Sequence, residues 1–153
     1  MEFAVLLLTP LLGSLLLAVW GARPRAAEIN IALSFGTFLA AVAVTVRVIN
    51  EGNLTAANEQ FFLDPFNVFL VTLTAFVGLT TSIFSRPYMR IEMEHGRLSQ
   101  GRLRLYHSMY QLFMTMMLVA LTTNNMGLLW VALEAATLST VLLVTLYRTP
   151  ASL

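Results

Sequence analysis

The sequence predicts an all-α transmembrane fold of about five membrane-spanning helices, and three observations carry that prediction. Apolar residues make up 58% of the 153 residues and charged residues 11%, against about 25% charged in an ordinary soluble domain. Mean hydropathy is +0.76. The apolar residues also fall into five runs, at about 3–20, 29–49, 65–84, 105–122 and 126–147, each long enough for the roughly 30 Å hydrocarbon layer. Backbone in lipid must satisfy its own hydrogen bonds, so each run reads as a helix. One membrane domain, 1–153, accounts for the length. The chain has no Cys, which excludes disulfides, thiolate metal sites and iron–sulfur ligation. A net charge of +1 gives no case for nucleic acid.

The elements follow in order. The first run is preceded by Glu2 and no cation, so it reads as a retained helix rather than a signal peptide. On the second, Asn30, Ser34 and Thr37 form a polar stripe of the kind that makes hydrogen bonds between helices. Between the second and third lies "NEGNLTAANEQFFLD", with a sequon at Asn53. Asp64-Pro65 opens the third helix, since Asp caps and Pro is tolerated at the first helical position. A long loop, 85–104, comes next. Its Glu92, Glu94 and His95 have a spacing that fits no defined metal motif; it reads as a solvated, headgroup-contacting or subunit-contacting loop. "TTNN" at 122–125 allows only a tight turn, so the fourth and fifth helices form a hairpin.

Charge orients the bundle. Arg23, Arg25, Arg86, Arg90, Arg97, Arg102, Arg104 and Arg148 fall on one side, and Arg47 alone near the other. Eight against one places the N-terminus outside and the C-terminus in the cytoplasm.

The fifth helix, "LLWVALEAATLSTVLL", then presents its anomaly. Glu134 lies ten residues past Asn124, about 15 Å deep at 1.5 Å per residue. A charge there costs about 3 kcal/mol on the insertion scale, and intramembrane carboxylates mark ion or proton paths. Burial favours the neutral carboxyl and a nearby cation the ionised one, so a carboxyl held between the two loads and releases protons. The competing reading is a neutral Glu donating one interhelical hydrogen bond. Thr137 shares Glu134's face. Ala132, Ala136 and Thr140 form a row of small residues, with Ala135 and Ser139 beside it, that lets helices approach closely. Packing of the fifth helix on more than one side is expected. His107, near the cytoplasmic start of helix four, is a candidate relay or an interfacial residue. There is no Lys, and no Arg lies mid-span, so Glu134 has no cation at its own depth within this sequence.

"YMRIEMEHGRLS" (Tyr88 to Ser99) and "NNMGLLWVALEAATLSTVLLVTLYRTPASL" (Asn124 to Leu153) resemble hydrogenase-4 component F, one of the antiporter-like membrane subunits shared by formate-hydrogenlyase-type hydrogenases, respiratory complex I and multi-subunit cation/proton antiporters. "LDPFNVFL" (Leu63 to Leu70) is similar to the segment opening the third helix in that superfamily. The resemblance covers the second half closely. It implies the front part of an antiporter-like fold of about fourteen helices, truncated in its first inverted repeat, which begins near residue 105. It also implies that Glu134 pairs with a lysine on a broken seventh helix beyond Leu153. The implied role is a non-catalytic, cofactor-free membrane subunit of a hydrogenase or complex I-like assembly. Such a subunit lies in a bacterial or archaeal cell membrane beside other membrane subunits and moves protons, or sodium, across the lipid bilayer. A cation/proton antiporter subunit and a non-transporting scaffold are the alternatives.

Overall fold

A computed structural model describes residues 1–146; Tyr147, the cation Arg148 and the closing "TPASL" lie outside the described residues. The order is α1 (Glu2–Trp20), α2 (Ala26–Glu51), β1 (Leu54–Ala56), β2 (Phe61–Leu63), α3 (Pro65–Glu94), α4 (Gln100–Thr122) and α5 (Met126–Val144). Helix starts are chemically marked. The Asp64 carboxylate accepts from the backbone N–H groups of Phe66 and Asn67, the Asn67 side chain accepts from the N–H of Asp64, and Pro65 follows. Ser99 caps α4 through the N–H of Arg102, and Asn125 caps α5 through Gly127 and Leu128. Each cap satisfies N–H groups that the helix leaves without partners.

Helix α3 runs ten residues past the expected end at Phe84, so most of the expected loop 85–104 is helical. The apolar run ends there, but the amphipathic pattern does not. Met89 and Glu92 are buried, and Glu92 pairs with Arg97 at 3.2 Å across the turn. Thirty residues of helix measure about 45 Å, longer than the hydrocarbon layer, so the charged last turns project beyond lipid. Gly96, at φ 69°, makes the reversal into α4.

A two-stranded antiparallel hairpin, Leu54 paired with Leu63 and Ala56 with Phe61, occupies the stretch read as a plain loop. Its turn, Ala57, Asn58 and Glu59, sits at φ 52°, 53° and 65°. These are left-handed conformations that cost non-glycine residues about 1 kcal/mol or more each. What holds the turn is its far side. Asn124 N–H donates to the Gln60 carbonyl at 2.8 Å, the Asn124 side chain to the Glu59 carbonyl at 3.2 Å, and Asn125 Nδ2 to Gln60 Oε1 at 2.9 Å. The hairpin therefore grips the α4–α5 turn.

Among the described residues, four of the five helices, α1, α2, α3 and α5, are long and apolar enough to cross a membrane. The expected fourth span is the exception. Helix α4 carries His107, Ser108, Gln111, Thr115 and Thr122, all buried. It packs against α1, α2, α3 and α5, so its polar groups turn inward and lipid does not meet them. Close contacts seat it. The Tyr110 hydroxyl donates to the Gly78 carbonyl on α3, and Ser108 Oγ donates to the Ser14 carbonyl on α1 at 3.0 Å. At the end of α1, a Cβ on Gly21 would stand 3.0 Å from Arg104 Cα. The interior divides along its length. The end near the hairpin is dry, built on Leu6, Ala41, Val44, Val48, Val71 and Leu118. The arginine-rich end packs Met89, Leu98, Tyr106, Tyr110, Met114 and Leu146.

Candidate functional site

Helix α5 meets the rest of the chain through α4. Ala132, Ala136 and Ser139 are its buried residues; spaced at four and three, they make one narrow face whose small side chains let α4 come close. The hydroxyls on α5 turn back onto their own helix: Ser139 Oγ to the Ala135 carbonyl at 2.8 Å, Thr137 Oγ1 to Leu133 at 2.9 Å and Thr140 Oγ1 to Ala136 at 2.8 Å. That hides them from an apolar surrounding.

Glu134 lies on the other side. It is exposed, as are Trp130, Val131, Thr137, Leu138 and Val141 around it. Packing of α5 on more than one side was expected; within the described residues it is covered on one side, and the glutamate's face is left open. The reason is the row itself, since one row of small residues accommodates one neighbour. None of the ion pairs among the described residues involves Glu134. Arg47, the cation near the hairpin end, is engaged by Glu2 and Glu51, both at 2.9 Å.

His107 is elsewhere. It is 2% exposed on α4 and forms the inner wall of a cavity of about 310 Å³ with Arg23, Glu28, Arg86, Arg90 and Gln100. Arg86 pairs with Glu28 at the rim, and Arg23 lies over the Trp20 ring at 4.7 Å. One turn deeper, Gln111 Nε2 donates to Asn30 Oδ1 at 2.8 Å and Ser34 Oγ at 3.1 Å. The structure thus gathers two separate constellations. Glu134 and Thr137 look outward from α5, while His107 looks inward toward α2 and α3. Counting from the α4–α5 turn, Thr115 is level with Glu134, and His107 is eight residues further, about 12 Å along the axis. Sequence reasoning overlooked Gln111. The available signal was a glutamine inside an apolar run, one helical turn from His107.

The arrangement, a carboxyl on an open helix face above a capped hairpin, can be set beside known proteins. No protein-family model matches the chain. The hydrogenase-4 component F homolog of Methylacidiphilum infernorum (isolate V4) is 40% identical over 153 residues, all of this chain and 31% of that protein. The chain belongs to the hydrogenase-4 component F family. It spans about a third of its relative's length. In this component F chain the likeness extends over the first half as well as the second half, where the motifs had carried the resemblance.

Proposed function

We propose that the chain is part of a non-catalytic membrane subunit in a redox-driven, ion-translocating assembly of the hydrogenase or complex I type, and that Glu134 is its proton-loading residue. The observation that carries this reading is the open face of α5: a carboxyl at mid-helix, flanked by Trp130, Leu138 and Val141, with no cation beside it among the described residues. A carboxylate facing hydrocarbon costs about 3 kcal/mol, so such a face calls for a protein neighbour. If that neighbour brings a cation near and withdraws it, the carboxyl releases and takes up a proton in step. The cation belongs to residues outside this chain or to an adjacent subunit. Thr137, on the same face, supports the carboxyl's setting, and Ala132, Ala136 and Ser139 hold α5 to α4.

The test is Glu134→Gln in the full-length complex, with proton movement and redox turnover measured together. The expected result is loss of proton translocation with the redox activity of the peripheral part retained. Undiminished translocation removes Glu134 from the mechanism and favours a scaffold; sodium dependence of the parent's activity favours a cation/proton antiporter.

A further inference from the structure

The cavity at the arginine-rich end carries a charge that its own residues do not balance. Arg23, Arg86 and Arg90 line it, against one carboxylate, Glu28. Glu28 is paired with Arg86. Neither Arg23 nor Arg90 is in an ion pair among the described residues. Arg23 lies instead over the Trp20 ring, a contact that leaves its charge unneutralised.

A helix start and a histidine line the same space. The first turn of α2 contributes Ala27, and Arg25 gives that turn no side-chain cap. The backbone N–H groups that open a helix favour an anion. His107 forms the inner wall, 2% exposed, and its Nδ1 has no hydrogen-bond partner among the described residues. Buried polar groups are nearly always satisfied, and a neutral imidazole with its proton on Nδ1 needs an acceptor there. Guanidinium forks, helix N–H groups and an imidazole N–H are all donors. The partner they share is a compact anion with several acceptor oxygens, which is the chemistry of a phosphate.

The apolar lining and the depth of the cavity say which phosphate. Met89, Met93 and Leu103 also line it, and a free ion makes no use of such side chains. Arg86 and Arg90 are two and six residues past Phe84, where the apolar run of α3 ends, about 3 and 9 Å along the axis. Trp20, under Arg23, and Tyr88, between Arg86 and Arg90 in the chain, are both exposed, as aromatic side chains are at the headgroup level of a bilayer. The volume of about 310 Å³ is small for a ligand pocket, so it takes a headgroup while the chains stay in the bilayer.

We propose that the α1–α2 turn, α3 and α4 form a binding site for the phosphate of an anionic phospholipid headgroup. Arg23 and Arg90 grip the phosphate, His107 donates to it from the inner wall, and the glycerol lies against Met89, Met93 and Leu103. Basic pockets between membrane helices on the cytoplasmic side take such headgroups. Bound there, the lipid bridges the α1–α2 turn and α3.

The test uses the full-length complex in phosphatidylcholine vesicles in which phosphatidylglycerol replaces part of the lipid. The chain has no Cys, and Gln100→Cys places a thiol on the cavity lining. Its modification by an uncharged maleimide is read on its own peptide by mass spectrometry. The rate is expected to fall several-fold with phosphatidylglycerol, and to stay unchanged when inorganic phosphate is added to phosphatidylcholine vesicles. Glu94→Cys, exposed and outside the cavity, reports the general effect of vesicle charge and is expected to slow much less. Arg90→Gln is expected to remove the protection and Arg90→Lys to keep part of it. Protection by inorganic phosphate alone assigns a free-ion site and overturns the lipid. Equal slowing at Glu94→Cys, or protection that survives Arg23→Gln combined with Arg90→Gln, overturns the site. So does the absence of protection from either source, the result expected if an acidic side chain of a neighbouring subunit fills the cavity. No turnover is measured, so the outcome is separate from that of the Glu134 reading.

Discussion

Gly21 and Gly36 show how differently one residue type is used. Gly21 ends α1 where the chain passes Arg104 at the start of α4, and a Cβ there would meet the Arg104 Cα at 3.0 Å and its carbonyl at 3.2 Å. Both are backbone atoms and cannot swing aside. Gly36 is inside α2, and its Cβ would find only a Thr9 methyl at 3.7 Å, an ordinary contact. Gly21→Ala is therefore expected to destabilise by about 1–3 kcal/mol through overpacking. Gly36→Ala is expected to be neutral or to stabilise by up to about 1 kcal/mol through helix propensity. Thermal unfolding of the two variants in detergent checks this; a Gly21→Ala protein as stable as Gly36→Ala contradicts the close approach. Glu134 is the opposite case at this scale. Its place in the chain was legible because a lone charge in an apolar run stands out by composition. Its surroundings were not, because a row of small residues says that a helix approaches but not which helix, and here Ala132, Ala136 and Ser139 meet α4 while the glutamate's face stays open.

Between elements, the hairpin and the "TTNN" turn make one device. The strands alone are three residues each, too short to be stable, and the left-handed turn adds cost. Bonds from Thr123, Asn124 and Asn125 to Glu59 and Gln60 complete it. Asn125 has two tasks, since its Oδ1 caps α5 while its Nδ2 holds Gln60. Asn125→Ala is expected to cost more than the roughly 1 kcal/mol of an ordinary cap, whereas Asn125→Asp keeps the cap acceptor and loses only the Gln60 bond. A melting temperature lowered modestly by Asp and further by Ala is the expected series; an Asp variant as stable as the parent would show that the Gln60 clamp contributes nothing, and equal values for both would show the same of the cap. This hairpin was hidden from sequence reasoning because its turn uses Ala, Asn and Glu at positive φ, not the glycine that usually signals such a turn. Helix α4 was half legible. Its run was recognised by length, but its polar residues acquire meaning only when helices stand on all sides of it.

For the whole molecule, the asymmetry of the ends is the dominant feature. The hairpin end has a dry interior and an Arg47 engaged by Glu2 and Glu51. The other end has a polar seam, a cavity and most of the arginines. The positive-inside rule predicts that the arginine-rich end faces the cytoplasm. Asn58→Cys in the hairpin turn and Glu94→Cys at the end of α3, both exposed, are therefore expected to react with a membrane-impermeant thiol reagent from opposite faces. Glu94→Cys should react only from the cytoplasmic one. Labelling of both from one face would reverse or abolish the assigned topology.

By itself the sequence determined the class of fold, the helical runs, the unequal ends and the presence of one carboxyl at mid-depth, and its motifs carried the resemblance to component F. These are local or compositional properties: a run is apolar, or a charge is present, whatever surrounds it. Only the tertiary structure decided which faces meet. It put α4 at the centre, joined Gln111 to Asn30 and His107, and left Glu134 on the uncovered side of α5. The physical reason is that lipid tails and a helix bundle's interior are about equally apolar. A membrane helix therefore lacks the contrast between a wet and a dry face that tells a reader how a soluble helix is turned.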